Sequence, residues 1–419
     1  EVSVLLNGET YTTTVNADGS FSVTVPVGAM SDLEDVNSPY TVEVSTSDLA
    51  GNATSNSSDV VVDTTTGTLV LNEISSGYLN AAEVTTDLTL TGNTTGIEAG
   101  QVVSVEVNGQ TYTGQVDASG EFSVTIPASD VANLNDTSYD IQASAVDLAG
   151  NETTAVESIT VDTVVPTVQI TPISDGYINL DESSEALVIS GTTTNVEDGQ
   201  SVVVNFNNVD YTGTVNNGSF SIEVPASVIS SLGNNEIHTT TVTVSDIAGN
   251  ETSATQDVVV DLTVGTIDLT IDEISGGAIN IAESTEDLII TGTTTDIEDG
   301  NIVTVTLNGI PYTGTVLNDV FSVTIPSSAI GDLDDGVVYK VEGTVSDNAS
   351  NDTSDAQNLS VDLTAPSITL NEISNDVLNI DEHQNELTIT GTTNGVEAGE
   401  LVSINLDGET YTGAVDTNG

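Results

Sequence analysis

The sequence predicts an all-β protein made of tandem β-sandwiches of about 100 residues each. Three observations predict this fold class. Motifs recur along the chain with a period of 99 to 101 residues, apolar and polar residues alternate within short segments, and turn signals interrupt these segments every 8–12 residues or so. Valine, isoleucine and threonine dominate the segments, and these residues favour strands.

The repeat is visible in four motifs. A Tyr-Thr pair recurs at Tyr11, Tyr112, Tyr211, Tyr312 and Tyr411. A Phe-Ser run that ends in proline begins at Phe21, Phe122, Phe220 and Phe321. A loop of the type D-x-A-x-N begins at Asp48, Asp147, Asp246 and Asp347, and an apolar segment ends at Asp63, Asp162, Asp261 and Asp362.

Domain boundaries are predicted directly after these last aspartates. They divide the chain into a C-terminal part of a repeat (1–63), three complete repeats (64–162, 163–261 and 262–362) and an N-terminal part of a repeat (363–419). This organisation suggests a window cut from a longer array, in which each unit contacts its neighbours.

Each element of a repeat has its own signal, as residues 64–162 show. The predicted strands cover about Thr68 to Ile74, Asp87 to Thr91, Val102 to Val107, Thr111 to Val116, Phe122 to Ile126, Tyr139 to Val146 and Val156 to Val161. Alternation in SVEV and FSVTI indicates one buried and one solvated face. Asn108-Gly109 is the dipeptide preferred in a two-residue hairpin. About seven short strands are typical of a sandwich.

Charge and composition exclude several functions. The chain has 65 acidic residues against one lysine, two histidines and no arginine, which gives a net charge of −64. Nucleic acids and anionic membranes are bound through Lys and Arg, so neither is an expected partner. There is no cysteine, and no apolar run approaches the roughly 20 residues that span a bilayer.

Catalysis is not expected. A nucleophile–base pair needs His, Cys or Lys near the acceptor, but His238, His383 and Lys340 stand at positions that are not equivalent in the repeats. Carboxylates that recur in every unit favour a role in assembly. The sequence therefore predicts that the protein is not an enzyme.

The motifs carry a family resemblance. The VD-(T/L)-(T/V) junctions, followed by Pro166 and Pro366 in two cases, the D-x-A-G-N loop and the Y-T-G hairpin resemble the bacterial immunoglobulin-like repeats of giant adhesins. Those are type I-secreted, RTX-type proteins of biofilms and of ice or cell binding. The resemblance implies Greek-key, immunoglobulin-like sandwiches in an extended rod, an extracellular location on a bacterial surface, and Ca²⁺ that stiffens the rod between domains.

Acidic residues are expected to gather where repeats meet. In an immunoglobulin-like sandwich the second–third strand loop and the last hairpin loop share one pole with the preceding linker. The predicted Ca²⁺ ligands are Asp63, Glu98 and Asp147 at the first junction, Asp162, Glu197, Asp198 and Asp246 at the second, Asp261, Glu298, Asp299 and Asp347 at the third, and Asp362 and Glu397 at the fourth. Ca²⁺ takes six to eight oxygen ligands or so. A plain tight turn uses the same Asp and Gly.

A second acidic set lies in the turn after the first strand. It comprises Glu83, Glu182, Glu283 and Glu382. At the opposite pole these residues are positioned to meet the loop acids Asp136, Glu236 or Asp334 and Asp335 if the strands alternate as predicted. Ca²⁺ binding is open there too, but solvated surface charge is the favoured interpretation.

The predicted function is a spacer that projects the ligand-binding tip of a bacterial adhesin for cell adhesion or biofilm formation. Two alternatives stay open. One is a self-assembling extracellular filament or matrix protein, in which copies associate head to tail. The other is a set of modules that bind carbohydrate or protein through their loops.

Overall fold

The computed structural model describes residues 1–271 and 277–419 and confirms the predicted all-β fold. In those residues no helix combines the length and the apolar character needed to cross a bilayer. The helices are single turns: the longest of the four α-helices has five residues.

The elements repeat in the same order. Residues 1–63 contain β1 (Val2–Leu6), β2 (Glu9–Thr13), α1 (Val27–Ser31), β3 (Tyr40–Ser47) and β4 (Ala53–Val60). Residues 64–162 contain β5 (Thr68–Leu71), β6 (Tyr78–Leu79), β7 (Leu88–Thr95), β8 (Val102–Val107), β9 (Gln110–Gln115), β10 (Glu121–Ile126), α2 (Ala128–Val131), β11 (Ser138–Val146) and β12 (Glu152–Val161).

Residues 163–261 contain β13 (Thr167–Ile170), β14 (Tyr177–Ile178), β15 (Leu187–Thr194), β16 (Ser201–Phe206), β17 (Val209–Thr214), β18 (Ser219–Val224), α3 (Ala226–Ile229), β19 (Glu236–Ser245) and β20 (Glu251–Val260). Residues 262–362 contain β21 (Thr266–Thr270), β22 (Ala278–Ile279), β23 (Leu288–Thr295), β24 (Ile302–Leu307), β25 (Ile310–Thr315), β26 (Val320–Ile325), α4 (Ser327–Ile330), β27 (Val338–Ser346) and β28 (Asp352–Val361). Residues 363–419 contain β29 (Ser367–Leu370), β30 (Gly391–Asn394), β31 (Leu401–Leu406) and β32 (Glu409–Ala414).

Each complete repeat has two sheets. In residues 64–162 the strand orders are β10-β7-β5 and β6-β12-β11-β8-β9, and both orders recur in the next two repeats. Residues 1–63 have the order β2-β1-β3-β4, and residues 363–419 have the pairs β29-β30 and β31-β32. Alternate side chains point inward, as the burial of every second residue of β10 shows. This is the periodicity that places one face of a strand in a core.

By its internal contacts the chain divides into two compact units, and the division runs through residues 163–261. The first unit comprises 1–171, 190–222 and 241–255, and its core includes Leu90, Val103 and Val105 of residues 64–162. The second unit comprises 172–189, 223–240 and 256–419, and its core includes Ile290 and Val303 of residues 262–362. The division into five domain segments stays a prediction.

The hairpin between β8 and β9 forms at the predicted dipeptide. Asn108 has φ 48° and Gly109 has φ 75°, which is the pair of positive values that a type I′ turn requires. The turn fixes the register, so that Val107 pairs with Gln110 and Val105 with Tyr112. The tyrosine of the Y-T-G motif therefore lies on the sheet surface that packs against the core.

A glycine in β7, and in the equivalent strands β15 and β23, makes room for the phenylalanine that recurs in each repeat. A Cβ atom on Gly92 would lie 2.1 Å from the carbonyl oxygen of Val70 and 2.4 Å from the ring of Phe122. Gly191 and Gly292 have the same surroundings. Glycine inside a strand often marks such a close approach, and here it lets the ring pack against the backbone of β7.

Several features differ from the sequence-based expectation. Two strands are longer than predicted, because β7 continues to Thr95 instead of Thr91 and β12 begins at Glu152 instead of Val156. The first strand ends at Leu71 rather than near Ile74, and the chain then crosses to the other sheet, where β6 pairs in parallel with β12. A single helical turn, α2, follows Pro127, which supplies its N-cap. A two-residue strand and a four-residue helix are too short to leave a periodic pattern in the sequence.

Candidate metal sites at the junctions between repeats

At the first junction, the D-x-A-x-N loop between β11 and β12 holds the preceding linker. The side-chain amide of Asn151 donates one hydrogen bond to Asp147 Oδ2 (2.8 Å) and another to the backbone carbonyl of Asp63 (3.2 Å). Asp147 Oδ1 accepts the backbone N–H groups of Gly150 and Asn151, both at 2.8 Å. The aspartate thus shapes the loop, and the asparagine ties the loop to the linker.

The same contact recurs at the next two junctions. At the second junction the amide of Asn250 donates to Asp246 Oδ2 and, at 2.9 Å, to the linker carbonyl of Asp162. At the third junction the amide of Asn351 donates to Asp347 Oδ2 and, at 3.0 Å, to the linker carbonyl of Asp261. The three residues of the second junction all lie in the first compact unit, and the three residues of the third junction all lie in the second.

The predicted glutamates join the same loop. One carboxylate oxygen accepts the backbone N–H of the second loop residue at 2.9, 2.9 and 3.0 Å, in the pairs Glu98 with Leu148, Glu197 with Ile247 and Glu298 with Asn348. The structure therefore brings together, at three junctions, the three chain segments that were predicted to meet.

Hydrogen bonding keeps the loop aspartate ionised. The amide of Asn151 is the main cause that lowers the pKa of the Asp147 carboxyl below its ordinary value; desolvation opposes it, and backbone N–H groups add to the lowering. The side chain of Asn52 does the same for the pKa of Asp48. Donors that point at a carboxylate stabilise its charged form, so these aspartates carry full negative charge at neutral pH.

The remaining predicted ligands contact other backbone groups or are exposed. Asp198 and Asp299 accept backbone N–H groups of Asn217 (2.6 Å) and Asn318 (2.7 Å), in the turn before the next strand. Glu397 is exposed. The Oδ1 atoms of the linker aspartates accept the N–H two residues further on, at Asp63, Asp162, Asp261 and Asp362.

Taken together, the carboxylates do not converge on one point. Within residues 1–271 and 277–419, no three His, Cys, Asp or Glu side chains come close enough to hold a metal ion. Both oxygens of Asp147 already accept hydrogen bonds from its own turn. The structure gives the loop aspartates a capping role, and their role as metal ligands stays a prediction.

The third junction has more carboxylates than the sequence analysis predicted. An open cavity of about 380 Å³ is lined by Asn235, Asp261, Thr263, Asp296, Ile297, Glu298 and Asp319. Asp261 and Glu298 were predicted as ligands, whereas Asp296 and Asp319 were missed. Carboxylate, amide and hydroxyl oxygens are the donors that a hard cation prefers, so the donor types of this cavity suit Ca²⁺, although no three of its carboxylates lie close enough together to hold an ion in this structure.

A comparison of the repeats would have revealed the two missed residues. The first complete repeat, residues 64–162, has Gly96 and Gly120 at the positions of Asp296 and Asp319. Both aspartates have positive φ values, 54° and 61°, a conformation that glycine adopts more readily than other residues. Among the repeats of this chain an acid stands at these two positions in residues 262–362 alone, so the periodic pattern of acids did not indicate them.

The second acidic set has other partners. Glu83 Oε2 accepts the backbone N–H of Asn80 at 3.0 Å, and Glu182 and Glu283 cap their own turns in the same way. Asp136 accepts the N–H of the linker residue Thr163 at 2.9 Å. The side chain of Glu382 lies outside the described residues. These contacts are those of ordinary turn and linker caps.

Comparison with known proteins gives the family. No protein-family model matches the chain, and no curated protein matches it. Among solved structures, it is similar to a Ca²⁺-stabilized adhesin that helps an Antarctic bacterium reach out and bind ice, with 35% identity over 86% of this chain and 90% of that one (TM-score 0.34). It is also similar to a bacterial immunoglobulin-like domain from the M. primoryensis ice-binding adhesin, with 41% identity over 23% of this chain and 99% of that one (TM-score 0.20).

A third similar structure is a tetra-tandem repeat in the extending region of a large adhesion protein, with 26% identity over 87% of this chain and 91% of that one (TM-score 0.34). The family assignment rests on sequence identity over most of both chains, together with the motifs at fixed spacing. This protein belongs to the family of tandem bacterial immunoglobulin-like adhesin repeats.

Proposed function

We propose that this chain is an extender segment of a bacterial cell-surface adhesin, and that Ca²⁺ bound at the junctions stiffens it. In this role it holds a ligand-binding tip away from the cell, outside the bacterium. The single observation that carries the proposal is the recurrence of one junction: the loop asparagine bonds the linker carbonyl at 3.2, 2.9 and 3.0 Å. A contact repeated at three successive junctions serves the array rather than a local reaction.

Charge supports the calcium part of the proposal. A net charge of −64 with a single lysine leaves almost no internal countercharge, and such self-repulsion opposes a compact arrangement. At the third junction, four carboxylates line one cavity: Asp261, Asp296, Glu298 and Asp319. We assign the strongest calcium binding to this cavity, with Asp261 and Glu298 as the ligands that recur and Asp296 and Asp319 as ligands of this junction alone.

The experiment measures the Stokes radius and the small-angle scattering of the full chain, with added Ca²⁺ and with excess EDTA. Calcium is expected to narrow the range of conformations and raise the melting temperature, since an ion that binds only the folded junction stabilises it. If neither the scattering nor the melting temperature responds to calcium, the stiffening proposal is wrong. Concentration-dependent polymers on sizing would instead favour the filament alternative.

A designed variant tests the assigned cavity. Asp296→Gly combined with Asp319→Gly gives the third junction the residues of the first repeat, and the positive φ values of 54° and 61° suit glycine. The backbone should therefore be undisturbed while two carboxylates are lost. Isothermal titration calorimetry is expected to show loss of the tightest calcium event. Asp352→Asn, which removes an exposed carboxylate outside the cavity, is the control and should leave that event unchanged.

A further inference from the structure

We propose that consecutive repeats are also joined by a metal-independent hydrogen-bonded clasp, in which the N-x-x-E turn of one repeat fits the D-x-A-x-N loop of the next. This inference adds to the proposed spacer function. It rests on that function in one respect, because a spacer needs junctions of fixed geometry. The turn begins at Asn80, Asn179 and Asn280, directly after β6, β14 and β22. The loop is the one that binds the linker.

The turn is held in shape by its own two polar residues. Asn80 Oδ1 accepts the N–H groups of Ala82 (3.0 Å) and Glu83 (2.9 Å), and Glu83 Oε2 accepts the N–H of Asn80 (3.0 Å). This reciprocal arrangement is a capping box. It leaves the Asn80 amide and the N–H of Ala81 as donors that point away from the turn.

Both donors bind the loop of the following repeat. Asn80 Nδ2 donates to the carbonyl of Ala248 (3.2 Å), and the N–H of Ala81 donates to Asn250 Oδ1 (2.8 Å). The amide group of Asn250 therefore bonds three segments at once, because its Nδ2 also donates to Asp246 and to the carbonyl of Asp162. Turn, linker and loop meet on one side chain.

The next junction repeats the clasp. Asn179 Nδ2 donates to the carbonyl of Ala349 (3.1 Å), and the N–H of Leu180 donates to Asn351 Oδ1 (2.9 Å). Ser350 adds a hydrogen bond to Asp175 (3.2 Å). Two independent occurrences with the same donors and acceptors indicate a joint specified by the two motifs rather than a chance contact.

The two loops that an N-x-x-E turn contacts are more buried than the loop of the first junction, which no such turn contacts in the described residues. Asn250 and Asn351 are each 5% exposed, and Ala349 is fully buried. At the first junction no N-x-x-E turn precedes the loop in residues 1–63, and there Ala149 is exposed. The turn is therefore what covers the loop, and a small residue at the third loop position lets it approach.

The chemistry of the clasp sets it apart from the carboxylates. The two bonds that recur in both clasps join neutral amide and backbone groups, whereas the Ser350–Asp175 bond of the second clasp has a carboxylate acceptor. Neither chelation nor salt removes the recurring bonds, whereas attraction between exposed charges is screened. An uncompensated buried amide is costly. The clasp thus fixes how one repeat meets the next even where no ion is bound.

The test changes one side of the clasp and measures the other. In the full chain, Asn250→Ala removes the acceptor of the Ala81 N–H, and amide exchange of the turn at 78–86 is followed by mass spectrometry. We expect about tenfold faster exchange, which corresponds to about 1.4 kcal/mol. Asn151→Ala is the matched control, since it alters the same loop position within the turn's own repeat and leaves the turn contact intact.

A second variant guards against a misfolded loop. Asn80→Ala leaves the D-x-A-x-N loop unaltered, and here the exchange of residues 247–251 is expected to rise. The proposal is overturned if neither variant changes exchange across the junction, if Asn151→Ala acts as strongly on the turn, or if EDTA alone deprotects the wild-type turn as much as Asn250→Ala does. A Stokes radius that ignores calcium would refute the calcium proposal while leaving the clasp intact.

Discussion

Replacement of Gly92 by alanine should detach β5 from its sheet. The new Cβ atom would lie 2.1 Å from the carbonyl oxygen of Val70 and 2.4 Å from Phe122, closer than van der Waals contact. The backbone of Gly92 does not have a positive φ, so the cost is steric and not conformational. Overpacking of this kind costs about 1–3 kcal/mol, and about 2 kcal/mol corresponds to a 30-fold change in an opening equilibrium.

Amide exchange of β5 measures this effect, because β5 is the edge strand of its sheet and pairs with β7 through residues 68–71. We expect its exchange to accelerate by about 30-fold, while β13, the equivalent strand at Thr167–Ile170, keeps its rate as an internal reference. Gly28→Ala is the matched control, because no atom lies within 4 Å of the added Cβ. Unchanged protection of β5 in the Gly92 variant would refute the steric account of this glycine.

Two further predictions concern side chains with matched counterparts in the chain. Tyr112→Phe removes a 3.1 Å hydrogen bond to Asp130 and should lower the free energy of unfolding by about 1 kcal/mol. Tyr211→Phe should leave that free energy unchanged or raise it, because among the described residues the buried Tyr211 hydroxyl has no partner. Equal losses of unfolding free energy on denaturant titration would contradict this prediction. The Thr364 hydroxyl lowers the pKa of Asp335 below 3.8, so the stabilisation is complete above that pH and disappears as pH falls through the lowered pKa. The difference in melting temperature between wild type and Asp335→Asn should therefore shrink below about pH 3.8, and a difference that does not change with pH would contradict this prediction.

The sequence predicted local structure correctly where a motif restricts the backbone to one conformation. The Asn108-Gly109 hairpin formed because few other dipeptides tolerate two positive φ values. Alternation located β8 at its observed bounds, Val102–Val107. The crossing of the chain from β5 to β6 was not predicted, because β6 is two residues long and its pairing with β12 is a tertiary contact.

The candidate site was predicted in its location but not in its details. Counting strands placed linker, glutamate and loop at one pole, and hydrogen bonds such as Glu98 to Leu148 join them there. The carboxylate oxygens were harder to assign, because backbone N–H groups of the same turn compete with a metal for Asp147. The contact between linker and loop is made by Asn250, an uncharged residue that the pattern of acidic residues does not indicate.

The parallel pairing of β6 with β12 has a mechanical consequence. Tyr78 and Leu79 near the start of a repeat lie beside Thr160 and Val161 at its end, and the N–H of Asp162 continues the ladder to the carbonyl of Leu79 at 3.0 Å. When tension pulls the two ends of a repeat apart, neighbouring parallel strands are drawn lengthwise in opposite directions. Their hydrogen bonds are then sheared together rather than peeled one at a time, so that a pulling force must break the whole patch at once before a repeat unravels.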